Sequence, residues 1–371
     1  MKELAPPGQL KLIPAESQWH DILRLFLLLQ VVFGHMAAIA LPNVSQLSSE
    51  FAENWPSIAF RLIWRFGAQA AFLFVFLSGF MVAGPLLAST RVGQVPCART
   101  FFAKRLLRIV PVSVGAVLLT ALLDTMSRLS PGAEALYRNS YAYDMVAAFS
   151  WTNFIGNVLF LQPVGVDSFG SNAPLWTLGY IVQYYILGWL LCKIYVSSRL
   201  LALIGMILFF VLMAYVHAEW AVLFIAWLSG GIARHSHVPK RLVVPFFLLG
   251  CVLFVMSNLA GALVAAASSV AIGFLLTMVI RHLPAVHHLP SGGWLRRLSN
   301  DSYAIYAVHH PVLISIYAVV FLGAAGPNFR FFLYVAVSLV MAMLTTLTLK
   351  GLVNLMHLKL GPTGHHAGLP R

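Results

Sequence analysis

The chain has 371 residues, of which 60% are hydrophobic and only 9% are charged. An ordinary soluble domain is about one quarter charged, so this composition excludes a soluble globular protein and predicts one whose partner is the lipid bilayer. The formal net charge of +13 does not indicate nucleic-acid binding. The basic residues lie in short clusters between apolar runs, which is typical of the cytoplasmic loops of a multi-pass membrane protein.

The apolar runs predict the fold class. Crossing the hydrocarbon of a bilayer takes about 20 residues. In chain order, runs near that length lie at 22–41, 60–87, 103–123, 174–195, 200–217, 219–234, 242–259, 261–280, 302–323 and 330–350. We therefore predict an all-α polytopic membrane protein of about ten transmembrane helices. They form one membrane domain at 20–356, between an N-terminal segment at 1–19 and a tail at 357–371.

A further segment at 144–162 is ambiguous by hydropathy, and the charge pattern decides how it is interpreted. The basic clusters are Arg91, Arg99, Lys104, Arg105 and Arg108; Lys193 and Arg199; Arg234, Lys240 and Arg241; and Arg281, Arg296 and Arg297. If all of these clusters face the cytoplasm, the spans alternate correctly only when 144–162 does not cross. We expect this segment to be interfacial or re-entrant, with both termini cytoplasmic.

The first span carries ionisable groups on one face. Arg24 and His35 are eleven positions apart, which is about three helical turns and about 16 Å, and Asp21 shares their face near the cytoplasmic entrance. Ionisable side chains are costly in lipid, so this face predicts a water-filled cavity or the interior of the bundle. The alternative is that Arg24 extends to the inner interface and His35 hydrogen-bonds a neighbouring helix.

Five segments carry motifs in a fixed order along the chain. They are DILRLFLLLQVVFGH at 21–35, FLFVFLSGFMV at 72–82, FFAKRLLRIVPV at 101–112, PLWTLGYIVQYY at 174–185 and SNDSYAIYAVHHPVL at 299–313. Taken together they resemble the acyltransferase-3 family of integral membrane acyltransferases, in the standalone form without an appended esterase-like domain. The first segment repeats the arginine, ten residues and histidine of that family's first helix.

The resemblance implies transfer of an acyl group, expected to be acetyl, from acyl-coenzyme A at the cytoplasmic face to a hydroxyl of a glycan or lipid-linked sugar. Acyl-coenzyme A would be a substrate rather than a tightly bound cofactor, and the expected location is a bacterial inner membrane. Histidine suits a general base at neutral pH, because its unperturbed pKa is about 6.5. His35 is predicted to activate the hydroxyl or to carry the acyl group briefly as a nucleophile.

The polyanionic donor calls for cations on the cytoplasmic side. Those predicted to bind it are Arg24, Lys104, Arg105 and Arg108. Residues predicted to line the site are Asp21, Ser78, Gly79, Trp176, Tyr303 and His309. Ser78 and Gly79 are equally consistent with a small-residue contact between helices. His310 is not expected to face the same way as His309, since helical neighbours are about 100° apart, and the resemblance favours His309 as the one that faces the site.

One position departs from the family pattern. A glutamate usually follows five residues after the tryptophan of the fourth motif, and Ile181 stands there. Another carboxylate would have to take the place of this glutamate, and Asp167 and Asp301 are candidates only because no better one stands out in the sequence. It also leaves open a protein of this family that has lost catalysis.

Two alternatives come from other functional classes. Arg24 and His35 would suit a proton-coupled transporter, and His35 with His309 would suit axial haem ligation. The sequence carries no spacing typical of a metal site.

Overall fold

A computed structural model describes residues 14–41, 51–138, 143–216, 218–237, 239–257, 262–284, 294–322 and 329–360. These residues are helical or irregular and contain no β-strand, which confirms the all-α fold class. Most of the predicted terminal segments, 1–13 and 361–371, lie outside the described residues.

The helices of the described residues follow one another with short connections. In chain order they are α1 (Pro14–Ala40), α2 (Phe51–Ile63), α3 (Gly67–Arg91), α4 (Ala98–Ser127), α5 (Ala133–Arg138), α6 (Met145–Ala148), α7 (Trp151–Val158), α8 (Trp176–Ser197), α9 (Arg199–Val216), α10 (Ala218–Ala233), α11 (Val243–Ser257), α12 (Ala262–Ile280), α13 (Trp294–Ile316) and α14 (Phe329–Leu360).

Helices lie at every position where an apolar run predicted one. Six helical runs in the described part of the chain are long and apolar enough to cross a membrane: Ala15–Ala40, Trp55–Arg91, Ala98–Ser127, Ala173–Ser197, Leu295–Phe321 and Arg330–Gly351. Shorter apolar stretches lie within α9, α10 and α12. The chain is therefore a multi-pass integral membrane protein. The count of ten crossings and the cytoplasmic side of both termini stay predictions.

The predicted span at 60–87 lies within the run Trp55–Arg91, but the helix is interrupted by a short turn between Ile63 and Gly67. Gly34 of α1 faces this turn, and a Cβ at Gly34 would lie only 2.7 Å from the carbonyl oxygen of Trp64. Glycine thus lets α1 approach the turn directly. Hydropathy depends on composition and does not report the direction of the backbone, so it could not predict the turn between Ile63 and Gly67.

Residues 144–162 form the two short helices α6 and α7. Neither is long enough to cross a bilayer, since the eight residues of α7 rise only about 12 Å. Trp151, Ile155 and Leu159 follow one another at intervals of four residues and are all exposed. An apolar face of this kind is typical of a helix lying in the membrane interface, as expected from the charge pattern.

Helix α3 lies at the centre of the bundle and packs against α1, α8, α10 and α12. Its contact with α10 depends on small residues, because a Cβ at Gly79 would overlap the backbone carbonyl of Trp227. A Cβ at Gly230 of α10 would likewise overlap the carbonyl of Phe76. Gly79 is therefore a residue of helix packing, which was one of the two roles predicted for it. It is not among the residues that line the cavity described below.

Substituting Gly79 by alanine is expected to destabilise the fold by about 1–3 kcal/mol, the usual cost of overpacking. Thermal unfolding in detergent measures the effect. The matched control is Gly205→Ala in α9, where nothing lies within 4 Å of the added Cβ. That change should be neutral or slightly stabilising, because alanine favours helix over glycine by about 1 kcal/mol. Equal melting temperatures for the two variants would contradict the packing role of Gly79.

Candidate active site

A cavity of about 500 Å³ lies among α1, α3, α4, α8 and α13. It brings together seven of the predicted site residues: Asp21, Arg24, Ser78, Lys104, Arg105, Arg108 and Tyr303. These residues come from four helices that are far apart in sequence. All five motifs meet at this cavity, since the fourth lines it as well through Thr177 and Ile181.

The walls of the cavity are strongly cationic. Its charged lining residues are Arg24, Lys104, Arg105, Arg108 and Arg296, against Asp21 as the one lining carboxylate among the described residues. Arg296 was predicted only as a cytoplasmic loop charge, and the structure places it on the cavity. A loop position explains a positive charge equally well, so nothing further in the sequence indicated that Arg296 lines a cavity.

Arg24 is held in place by polar partners on two helices. Its Nη1 donates to Asp21 Oδ1 at 3.4 Å and to Ser299 Oγ at 3.2 Å, and Ser299 Oγ donates to the same Asp21 oxygen at 2.7 Å. The Arg24 side chain is 20% exposed. These contacts place Arg24 in the cavity wall and exclude the alternative that it merely extends to the lipid interface.

The basic residues of α4 follow the helical period, since Lys104 and Arg108 are four positions apart and Arg105 lies beside them. Arg105 Nη1 donates to the carbonyl of Phe101 at 2.7 Å, and its guanidinium carbon lies 3.8 Å from the centroid of the Phe101 ring. Lys104 and Arg108 are exposed. One fixed cation and two accessible cations thus line the same side of the cavity.

Hydroxyl groups line the deeper part of the cavity. The Tyr303 hydroxyl contacts Ser113 Oγ at 2.6 Å. Thr177 Oγ1 donates to the carbonyl of Pro174 at 2.9 Å and lies 3.1 Å from the Tyr306 hydroxyl, from which it accepts. Ile181, one turn after Thr177, also lines the wall. The position where the family usually has a glutamate therefore faces the cavity with an apolar side chain.

Three histidines form a cluster beyond the cavity. The ring centroid of His35 lies 5.4 Å from that of His309 and 4.7 Å from that of His310. His309 and His310 are fully buried, whereas His35 is partly exposed. The motif marked His309 as the histidine that faces the site, and His310 contacts His35 as well. His35 lies between the directions of the two neighbouring side chains, and each imidazole is large enough to reach it.

Tyr306 separates this cluster from the cavity, and we call Tyr306 with Thr177 the partition. The Tyr306 ring packs on Phe74 with centroids 5.7 Å apart and on His309 with centroids 5.6 Å apart. His309 Nδ1 donates to the Tyr306 carbonyl at 2.7 Å, because a carbonyl oxygen can only accept. Arg24 and His35 therefore share a helix but not a cavity.

Other predicted positions lie away from both places. Trp176 packs on Phe72 and Tyr180, with ring centroids 6.1 and 5.3 Å apart, and does not line the cavity. Asp301 pairs with Lys350, and Asp167 is exposed. Neither default carboxylate approaches the histidines.

A carboxylate that no sequence motif marked, Asp124, lies near the C-terminal end of α4. Asp124 is 1% exposed and accepts hydrogen bonds from Ser171 and Tyr137. Ser171 in turn accepts from His310 Nδ1 through its carbonyl oxygen. A polar residue at the end of an apolar run is typical of the start of a loop, so no pattern indicated that Asp124 points inward.

Within the described ranges, no group of three or more His, Cys, Asp or Glu side chains is arranged to hold a metal ion, the histidine cluster included. The rings of His35 and His309 pack against each other. They do not face each other across the width of a porphyrin, so their geometry does not support haem ligation.

A comparison with protein families gives one match. The acyltransferase-3 family model, described as an acyltransferase domain, matches residues 17–347, a range that contains the cavity, the partition and the histidine cluster. No curated protein and no solved structure was found to match the chain.

Proposed function

Because the chain belongs to the acyltransferase-3 family, we propose that it is a membrane O-acyltransferase with acyl-coenzyme A as its donor. The acyl group, expected to be acetyl, is taken at the cytoplasmic face and moved to a hydroxyl of a glycan or lipid-linked sugar in a bacterial inner membrane. The observation that carries this proposal is the cavity with five cationic lining side chains and one lining carboxylate.

The charge of the cavity matches the donor. Coenzyme A carries several phosphate groups, and hydrogen bonds between arginine and phosphate are charge-assisted and often bidentate. Arg24 and Arg105 are already fixed by neighbouring groups, so little side-chain entropy is lost when they bind. Lys104, Arg108 and Arg296 add positive potential that draws the polyanion into the cavity.

The remaining wall suits the uncharged part of the donor. Phe74, Leu77 and Met81 line the cavity from α3, and an apolar wall of this kind suits the pantetheine arm. The hydroxyls of Thr177 and Tyr306 lie at the end next to the histidines. The thioester is proposed to sit against them, where the Tyr306 O–H can turn from Thr177 and donate to the carbonyl oxygen as negative charge develops on it.

His35 performs the transfer by one of two routes. As a general base it takes the proton of the acceptor hydroxyl while that oxygen bonds to the thioester carbon and the carbon–sulfur bond breaks. As a nucleophile it forms the bond to the thioester carbon itself and passes the acyl group to the hydroxyl in a second step. In both routes the hydroxyl loses one proton, the coenzyme A thiolate gains one, and His35 ends with the protonation it began with. The thioester reaches His35 only when the partition opens.

Ile181 fits this proposal, because it keeps a negative charge off the cationic wall. Replacing Ile181 by glutamate is expected to weaken donor binding about thirtyfold. At an effective dielectric of about 20, a carboxylate about 8 Å from a phosphate costs about 2 kcal/mol. Equilibrium binding of acetyl-coenzyme A in detergent measures the change. The control is Ile181→Gln, which has the same size and no charge. An equal loss in both variants would indicate a steric and not an electrostatic effect.

The proposal is tested by binding and turnover of acetyl-coenzyme A with the purified protein in detergent. Binding should weaken when the donor lacks its 3′-phosphate and when salt is raised, because screening reduces the attraction between exposed charges. Hydrolysis or transfer of the acetyl group should accompany binding. If the wild-type protein neither binds nor turns over any acyl-coenzyme A, the proposal fails, and assays for a proton-coupled transporter come next.

A further inference from the structure

Asp124 makes three hydrogen bonds inside the bundle. Its carboxylate accepts from the Ser171 backbone N–H at 2.7 Å, from Ser171 Oγ at 2.6 Å and from the Tyr137 hydroxyl at 3.1 Å. A buried carboxylate is costly unless hydrogen bonds satisfy it. Two of these three bonds go to Ser171, so Asp124 fixes both the backbone and the side chain of that residue.

The same stretch of chain is tied to α13. Asn172 Nδ2 donates to Thr120 Oγ1 at 3.0 Å and to the carbonyl of Ala307 at 2.9 Å. Ser171 and Asn172 are both fully buried. A loop that the sequence predicts to lie outside the membrane therefore enters the bundle and packs one helical turn from His310.

Ser171 determines the protonation of His310. Its carbonyl oxygen is hydrogen-bonded to His310 Nδ1, and a carbonyl can only accept, so Nδ1 carries the hydrogen. In a neutral imidazole the other nitrogen, Nε2, is then the acceptor. The His310 ring meets the His35 ring at an interplanar angle of 85° with centroids 4.7 Å apart. His310 thus lies beside the residue proposed to carry out the transfer, with its Nδ1 hydrogen held by Ser171.

We infer that His310 accepts the proton that leaves His35 during acyl transfer, and that Asp124 is a positioning residue that keeps His310 in the accepting tautomer through Ser171. The inference rests on the proposed function. In the general-base route His35 takes the hydroxyl proton on one nitrogen and gives the proton of its other nitrogen to His310 Nε2. In the nucleophilic route the His35 N–H proton goes to His310 Nε2 as the carbon–sulfur bond breaks. The proton then returns to the departing thiolate.

A kinetic double-mutant cycle tests the coupling. Asp124→Asn keeps the side-chain size, removes the charge and is expected to lower kcat by up to about 100-fold, the cost of a small misplacement of a reacting group. Donor Kd should not change, because Asp124 does not line the cavity. In a His310→Gln background, Asp124→Asn should lower kcat no further, since residues that act through one another are not additive.

The control is Glu134→Gln, which removes an exposed carboxylate on the same side of the bundle that pairs with Arg138 at 2.8 Å. Its kcat should equal that of the wild type. If Asp124→Asn lowers kcat by the same factor in both backgrounds, or raises donor Kd as well, Asp124 acts on the fold and not on His310, and the inference is overturned.

A second measurement does not depend on activity. In ¹⁵N-histidine NMR of the wild-type protein in detergent, the signal lost in His310→Gln should be that of a neutral ring protonated on Nδ1. A ring protonated on Nε2 overturns the inference directly. If the Nδ1 form is found but the wild type shows no acyl transfer, the proposed function fails and the His310 assignment stands.

Discussion

Replacing His35 by alanine should lower kcat for acyl transfer by about 10²–10⁴-fold, the usual contribution of a general acid–base group. Donor binding should be unchanged, because the Tyr306 ring lies between His35's neighbour His309 and the cavity. A loss of turnover without a loss of affinity would separate the chemistry from donor recognition. Single-turnover transfer from labelled acetyl-coenzyme A, with equilibrium binding beside it, measures both quantities.

The control for this substitution is His237→Ala. His237 is exposed and does not line the cavity, so its removal should leave kcat and Kd at wild-type values. The single-turnover experiment also distinguishes the two routes, because an acylated His35 would be trapped on the protein when the acceptor is omitted. Wild-type turnover in His35→Ala would remove this residue from the mechanism.

Replacing Arg24 by alanine should raise the Kd for acetyl-coenzyme A by about 10- to 150-fold, since a hydrogen bond to a charged group contributes about 1.5–3 kcal/mol. The removal also leaves Asp21 without its cationic partner in the cavity wall. Arg24→Lys should restore only part of the affinity, because an ammonium cannot make the bidentate phosphate contact of a guanidinium. At saturating donor, kcat should change far less than Kd.

Arg91→Ala is the matched control for Arg24. Arg91 belongs to the same predicted cytoplasmic charge set, but it is exposed and does not line the cavity. If Arg91→Ala weakened donor binding as much as Arg24→Ala, the net charge of the cytoplasmic face and not the cavity would hold the donor. The salt dependence of Kd should be shallower for Arg24→Ala than for the wild type.

The helices were predictable because their physical signal is strong. A long apolar run cannot remain in water, and helix formation satisfies its backbone in lipid, so every predicted run became helical. The break between α2 and α3 was not predictable. At the break, the backbone of Trp64 lies close to Gly34 of α1. The hydropathy pattern of either segment alone cannot predict a contact between two segments.

The lining of the cavity was predictable for those residues that a motif and a helical period both marked. Arg24, Arg105 and Arg108 met both conditions and line the cavity. Arg296 satisfied the topology rule equally well, so nothing in the sequence distinguished a loop charge from a site charge. Trp176 lay in a motif, yet its neighbour Thr177 points into the cavity. The motif located the turn of the helix but not the direction of each side chain.

The histidine cluster was only half predictable. His35 and His309 followed from the family motifs, whereas the contact of His310 with His35 depends on how α1 packs against α13. Asp124 and Ser171 meet across 47 positions of the chain. Ser171 belongs to a loop without periodicity, and an irregular loop can enter a membrane bundle only when its backbone groups find partners there. Those partners are visible only in the folded structure.

The partition bears on the electrical insulation of the membrane. A bundle with cations at one end and histidines deeper inside could conduct protons if a continuous polar path ran between its two faces. Moving one elementary charge through 100 mV is worth about 2.3 kcal/mol, so such a path would dissipate the ion gradient of the cell. The Tyr306 ring, packed between Phe74 and His309 and hydrogen-bonded to Thr177, interrupts it. While no donor is bound, the enzyme can then remain in an energised membrane without acting as a proton leak.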